Sequence, residues 1–201
     1  MDQETTANAG TSRRKYRKSA LTRQRIYDEA MALMSECGFQ GTTIRAVCER
    51  AEVSVGTFYN YFNSKTDILH DIYYNADELF RLNVASEIKG MDPRDQLRHF
   101  ASRYARLNTD TGLDIMRVLF NPENTWFYKR RPMQDVLKNI IDDGRRKGVF
   151  FTDRSSDDLV DDIFGIFRGV CYSWCVSSAA FDLADRMGHM VELVLHGIEV
   201  K

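Results

Sequence analysis

The sequence predicts an all-α protein, with an N-terminal three-helix unit built around a helix-turn-helix and a larger C-terminal helical bundle. Three observations carry this expectation. Apolar residues recur with a 3.6-residue period along most of the chain, and the alternation that marks a strand is hard to find. Prolines number only three, Pro93, Pro122 and Pro132, so long stretches are free to stay helical. The stretch 42–62, TTIRAVCERAEVSVGTFYNYF, holds two short amphipathic helices with only Ala51, Glu52 and Val53 between them.

Taken in order, residues 1–18 read as a disordered arm. The first twelve are small and polar, and 13–18, RRKYRK, is a basic run suited to phosphate or minor-groove contacts. Residues 21–37 are expected to form the first helix. Ile26, Ala30, Leu33, Met34 and Cys37 make its inner stripe, and Gly38 stops it in a left-handed conformation. The next helix places Ile44, Val47, Cys48 and Ala51 at i, i+3, i+4 and i+7, with Thr42 or Thr43 as its cap. Ser54 caps a further helix that buries Phe58 and Phe62. Ser64 to Asp67 is a capping box, expected to open a long helix reaching about residue 87, with Ile68, Leu69, Ile72, Tyr73, Ala76, Leu79 and Phe80 inward.

The helix after Ser54 is unusual in what it leaves outside: Val55, Gly56, Thr57, Tyr59, Asn60 and Tyr61. Hydroxyls and phenols donate to phosphate oxygens, and asparagine can read adenine with two hydrogen bonds. Gly56 lets a ligand approach the backbone closely. Residues 42–44, 53–62 and the pair Ser64-Lys65 resemble, in order and spacing, the DNA-binding signature of TetR-family transcriptional regulators. The resemblance implies that Thr43, Thr57, Tyr59, Tyr61 and Lys65 hold phosphates, while Arg45, Gly56 and Asn60 approach base edges with Val55 on the same face. Two positions depart from the pattern. Glu52 stands where the family often has glycine, leaving a left-handed position to a side chain, and Val55 replaces a common lysine, removing one phosphate contact. Ser54-Val55-Gly56 also matches the tail of a nucleophile elbow, but Glu52 occupies the position of the first glycine and the preceding segment is helical rather than a strand.

Beyond residue 87, Asp92 and Pro93 cap and start a helix to about 107, with Leu97, Phe100, Ala101, Tyr104 and Leu107 inward. A shorter helix over 112–120 follows. Residues 124–147 are expected to be helical, kinked at Pro132 and stopped at Gly148. Ser155 opens a helix to about 178, whose Asp157, Asp158, Asp161 and Asp162 sit in the first two turns, where the helix dipole favours acids. Asp182 caps the last helix. Phe100, Tyr104, Met116, Phe120, Trp126, Phe127, Phe164 and Phe167 are more bulky groups than a compact helical core needs. They are the candidate lining of a mostly apolar cavity for a small organic effector, with Asp114, Arg117 and Arg168 as candidate polar anchors. The last two helices carry more apolar surface than one subunit can cover. Phe167, Cys171, Trp174, Met187, Val191 and Val194 are the candidate interface of a homodimer joined through a four-helix bundle.

Composition narrows the classes further. The net charge of −1 argues by itself against a general nucleic-acid binder, but ten bases and seven acids through Lys65 leave that part at +3 and the remainder at −4, as two separate jobs would require. Cys37, Cys48, Cys171 and Cys175 show no CxxC spacing, and no signal peptide precedes them, so reduced thiols in a cytoplasmic protein are expected. The four histidines form no ligand-spaced cluster, no apolar run approaches a membrane span, and no paired acid and base or cofactor loop stands out. The expectation is therefore a homodimeric transcriptional regulator without metal or cofactor, and not an enzyme. It would bind double-stranded DNA and act as a repressor released from a palindromic operator by a small, mostly apolar effector. The alternatives are an effector-free DNA-organising or scaffold protein of the same fold and, further off, a helical-bundle enzyme. The domains expected are an arm over 1–18, a DNA-binding unit over 19–65, and a ligand-binding and dimerisation domain over 66–201.

Overall fold

The computed structural model describes residues 4–120, 130–151 and 153–199, with side chains from residue 17 onward. Two compact units divide between Ile72 and Tyr73, seven residues beyond the boundary expected from sequence, because the first turns of the helical stretch after Ser64 pack with the N-terminal unit.

In the first unit, α1 runs from Glu4 to Gly41. Its length corrects the expected disordered arm: the helix continues back through 13–18, where arginine and lysine are good helix formers and no proline interrupts. At Gly38 (φ 74°, ψ 166°) the helix breaks and a single further turn follows. Ile26, Ala30 and Met34 are buried as expected, whereas Cys37 is exposed, its thiol 3.1 Å from the Leu33 carbonyl. Helix α2 (Ile44–Arg50) packs on α1, and α3 (Val55–Tyr59) packs on α2. Phe58 and Phe62 close the small core, ring centroids 5.7 Å apart.

The long helix expected over 64–87 is instead a series: α4 (Lys65–Ile68), α5 (His70–Glu78), a π-helical turn (Leu79–Val84) and α6 (Ala85–Glu87). The inward residues explain the π turn. Ala76, Phe80, Val84 and Ile88 are all buried and spaced by four. Each such step advances about 40° round an α-helix, so the stripe would rotate out of the core. A locally wider turn takes up that drift and keeps all four on one side.

In the second unit, α7 (Pro93–Thr111) lies against α11 (Leu183–Ile198) and α9 (Pro132–Arg146). Helix α10 (Ser156–Val176) packs on α9, α11 and the short α8 (Leu113–Leu119). Pro132 does not kink α9 but begins it, at the position where a missing N–H costs no helical bond. The rest of the expected 124–129 segment lies outside the described residues. The four aspartates at the start of α10 are engaged separately: Asp157 by Arg130 and Lys138, Asp158 by Ser155, Asp161 by Gln134 and Asp162 by Arg154. Among the described residues no strand forms, and one isolated bridge pairs Phe150 with Glu199. No described helix is long and apolar enough to cross a membrane.

The end of α9 shows how tightly this unit is joined. Gly148 (φ 68°) lets the Val149 and Gly148 amides return to the Gly144 and Arg145 carbonyls, at 2.8 and 3.0 Å, a Schellman closure. The reversed chain lays the Phe150 ring directly on Gly144, where a Cβ would come within 2.0 Å of a ring carbon. Phe150 is 3% exposed and has nowhere to retreat. Gly144→Ala is therefore expected to destabilise the protein by about 1–3 kcal/mol through overpacking, seen as a lowered thermal midpoint.

Candidate nucleic-acid interface

The site is built from two caps and a reversed turn. Thr43 caps α2, its hydroxyl oxygen accepting from the Ala46 amide at 3.1 Å. Ser54 caps α3 in the same way, accepting from the Thr57 amide at 3.0 Å, and its hydroxyl sits 2.8 Å from that of Thr57. Between them the chain reverses at Glu52 (φ 51°), with the Val53 amide bonded to the Cys48 carbonyl at 3.0 Å and the Glu52 amide to the Glu49 carbonyl at 3.3 Å. This is the same Schellman geometry that Gly148 makes, here imposed on a side-chain-bearing residue at some conformational cost. The left-handed position read from sequence is thus where the structure has it.

With Phe58 buried below, α3 turns Val55, Gly56, Tyr59 and Asn60 outward. Tyr59 is 53% exposed and braced edge-on against Phe58. Tyr61 is half-buried and accepts from Ser19 of α1 at 3.2 Å, which leaves its own O–H to donate elsewhere. Thr43 likewise accepts with its oxygen and keeps its proton. Arg45 is exposed and paired with Glu49 at 3.0 Å. Eight of the nine sequence candidates therefore share the neighbourhood of this turn with donors still available or, at Gly56 and Val55, with little bulk in the way.

Lys65 is different. Its ammonium donates to the carbonyls of Phe39 and of Thr42 (2.8 Å for the latter) and lies 4.2 Å over the Phe39 ring. The carbonyls at the C-terminus of a helix are unpaired and carry the negative end of its dipole, so the end of α1 draws this cation inward. Burial lowers the Lys65 pKa, opposed by Cys37. Lys65 is a pin between α4 and the end of α1, with two of its three ammonium protons engaged there. Other cations counted as available are also committed to the scaffold. Arg23 pairs with Asp71 and stacks 4.8 Å over Phe62, and Arg50 holds Glu29 and Glu36 at 2.9 and 2.7 Å. Sequence reasoning missed these pairings, since the partners lie 14 to 48 residues apart. Arg17, Lys18 and Arg25 of α1 are exposed.

In the second unit, Phe100, Tyr104, Phe164 and Phe167 of the candidate lining come together, with Phe80 joining them. Ring centroids lie 4.8 Å apart for Phe80 and Phe100, 5.8 Å for Tyr104 and Phe164, and 5.7 Å for Tyr104 and Phe167. Met116 is buried and Phe120 half-buried, while Trp126 and Phe127 lie outside the described residues. Arg117 is engaged by the end of α10, donating to the Cys175 carbonyl at 3.1 Å and to Ser178 at 2.7 Å. Cys171 is fully buried, and burial pushes its thiol up to about 12.

The candidate dimer interface is corrected. Phe167, Cys171, Trp174, Met187 and Val191 are 0–7% exposed inside one subunit, and Val194 is half-buried. The faces left outside are others. On α10 they are Gly165, Ile166, Gly169, Tyr172, Ser173 and Val176, and on α11 Gly188, Leu193 and Gly197. A stripe apolar on both sides of a helix does not reveal in sequence which side the subunit itself will use.

A capped helix, a reversed turn and a second helix with a polar outer face define a helix-turn-helix DNA-binding protein. The chain belongs to the tetR family of bacterial regulatory proteins, whose family model matches residues 26–72. The HTH-type transcriptional regulator UidR of Escherichia coli K12 is 31% identical over 162 residues, covering 74% of this chain and 81% of that protein. The HTH-type transcriptional repressor KstR of Rhodococcus jostii is 41% identical over 85 residues, but the match spans only 39% of its length and 42% of this chain. Among solved structures, Thermus thermophilus FadR, a TetR-family repressor in complex with lauroyl-CoA, superposes with a TM-score of 0.68 at 27% identity, covering 89% of this chain and 96% of that one.

Replacing Lys65 leaves two helix-end carbonyls without their donor, so Lys65→Ala is expected to lower the stability of the N-terminal unit by about 1–3 kcal/mol, measured by hydrogen exchange of the α2 and α3 amides. A variant of unchanged stability that instead loses one unit of salt slope in DNA binding would overturn the pin and assign Lys65 to a phosphate.

Proposed function

We propose that the protein is a homodimeric transcriptional repressor that binds a palindromic operator through α3 and leaves it when a small, mostly apolar effector binds the second unit. One observation carries the DNA-binding part of this reading: the outer face of α3, with Val55, Gly56, Tyr59 and Asn60 exposed on a helix anchored by the Ser54 cap and the buried Phe58. A helix held this firmly from below presents its outer groups in one geometry, as base and phosphate contacts need. Asn60 is the candidate base reader, Tyr59, Thr43, Thr57 and Tyr61 the phosphate donors, and Arg17, Lys18 and Arg25 of α1 an added electrostatic contribution. The operator is to be found by selecting bound sequences from random DNA. Tyr59→Ala is then expected to weaken all sequences alike, and Asn60→Ala to lose about 1–3 kcal/mol of discrimination at one base pair per half-site. Wild-type affinity and preference in both variants would remove the α3 docking.

Dimerisation follows from the outer faces of α10 and α11. Gly165 and Gly169 on one helix and Gly188 and Gly197 on the other leave room for close helix approach, beside Ile166 (39% exposed), Tyr172, Val176 and Leu193 (66%). A second copy of the chain, related by a two-fold axis, covers this stripe with the same stripe. Leu193→Glu is expected to give monomers by light scattering with an unchanged helical spectrum, and with operator affinity reduced because one half-site is lost. A dimer that survives Leu193→Glu together with Ile166→Glu would move the interface elsewhere.

The effector part draws on FadR, whose structure holds lauroyl-CoA, and on the aromatic cluster of the second unit. Helix α5 carries the chain from one unit into the other, and a coupling of about 1–3 kcal/mol between effector and operator suffices for a several-fold to hundredfold release. The effector must then favour the DNA-free form by the same factor. The close approach of the Phe80, Phe100, Tyr104, Phe164 and Phe167 rings favours the second reading, an effector-free DNA-organising protein of the same fold. Titrating the operator complex with lauroyl-CoA separates the two.

A further inference from the structure

Glycine weakens a helix relative to alanine, so one inside α3 calls for a reason. Gly56 has none within the subunit. Its backbone is helical rather than left-handed. Its chain neighbours apart, an added Cβ would meet only the Ser54 hydroxyl oxygen among the described residues, at an ordinary 3.8 Å. What the missing side chain leaves open is the space outside the helix. Val55, just before it, is the first residue of α3 and is 46% exposed. Tyr59, one turn on, is 53% exposed, so the two stand on the same side of the helix, while Phe58 is fully buried.

The position of the valine decides what it meets. In a helix-turn-helix the first residues of the second helix face the base edges of the major groove. Those edges carry hydrogen-bond donors and acceptors and a single apolar group, the 5-methyl of thymine. Valine has no donor or acceptor to offer. Against guanine, cytosine or adenine it would strip water from polar atoms and give no hydrogen bond in return, which costs affinity. Against the thymine methyl it buries carbon on carbon. A lone exposed valine needs no explanation, but this one adjoins a glycine with no internal use, at the end of α3 that leads into the groove.

We propose that Val55 is a specificity-determining residue that reads the 5-methyl group of one thymine in each operator half-site, and that the bare Gly56 lets the first turn of α3 come close enough for that contact. This rests on the reading that α3 docks in the major groove. The valine joins Asn60 as a second base reader of the opposite chemistry, selecting by burial where the amide selects by hydrogen bonds.

The test uses the full-length protein and the operator selected from random DNA. Each thymine of the half-site is replaced in turn by deoxyuridine, on both half-sites together, which removes the methyl and keeps every hydrogen-bonding group. At one position uracil is expected to weaken binding about three- to tenfold per half-site, the effect of burying one methyl group. Val55→Ala is expected to bind the thymine and uracil operators within about twofold of each other, with an unchanged salt slope because no phosphate contact is lost. Gly56→Ala is expected to keep or raise the thermal midpoint of the DNA-free protein while weakening the operator complex. An operator in which no thymine is sensitive to loss of its methyl, or a Val55→Ala protein that keeps the wild-type preference for thymine over uracil, overturns the readout. Wild-type operator affinity in Gly56→Ala overturns the close approach. With either result, affinity lost in Tyr59→Ala and discrimination lost in Asn60→Ala leave the docking of α3 standing. If those two variants also bind as the wild type does, the docking falls with the readout.

Discussion

The DNA-binding surface depends on one residue held in a left-handed conformation. Glu52 (φ 51°) lets α2 close on itself and send α3 off at once, with no loop in which the angle between the helices could vary. Everything outward on α3 is placed by that reversal together with the Ser54 cap and the buried Phe58. A glycine would adopt the conformation at lower cost in the folded state but with more freedom to lose on folding. The turn is secured instead by what surrounds it. Arg50, at the end of α2, reaches two glutamates of α1, and Lys65 closes the other side by gripping the carbonyls at the end of α1. The basic residues of this unit thus divide between those that shape the site and those left on α1 to meet an anionic partner.

The same reversal recurs in the second unit at Gly148 and again at Ser178 (φ 55°), where the Ala179 amide returns to the Trp174 carbonyl at 2.9 Å. In each case a helix ends within a residue or two and the chain turns back. At Gly148 this drives Phe150 onto Gly144, and beyond it the Phe151 amide bonds the Ile198 carbonyl at 2.6 Å, fastening the end of α11 to the turn after α9. The polar interior is sparing by comparison. Asp77 and Arg131 form a shielded pair that joins α5 to the start of α9, with the Tyr73 carbonyl accepting from Arg131 at 2.9 Å. Such a pair adds little net stability over an apolar substitute, but it constrains where α9 begins relative to α5. A helix that carries the chain between two units benefits from being positioned by directional contacts rather than by greasy ones alone.

Much of this was legible before any coordinates. The caps at Thr43, Ser54, Ser64, Asp92, Ser155 and Asp182 all hold amides as their residue types and spacing implied. The buried pair Phe58 and Phe62, the exposed face of α3 and the strained position at Glu52 were each readable from local pattern, because every partner involved lies within a few residues. The helical arm before residue 19 was missed because a polar sequence without periodicity can still propagate a helix that a packed segment has nucleated. The π turn was missed for a related reason: four-residue spacing of Ala76, Phe80, Val84 and Ile88 looks like an ordinary helix until the core demands that all four face the same way.

What the sequence determined by itself is therefore the helices, their ends and the residue types on each face, since hydrogen bonding and capping act over three to five residues. Only the tertiary structure decided which of two apolar faces on α10 and α11 turned inward, and that Lys65 would serve the end of α1. Those outcomes depend on neighbours brought together from distant parts of the chain. A helix carries its stripes in its own sequence, but the electrostatics and packing that choose among them belong to whatever lies across the core.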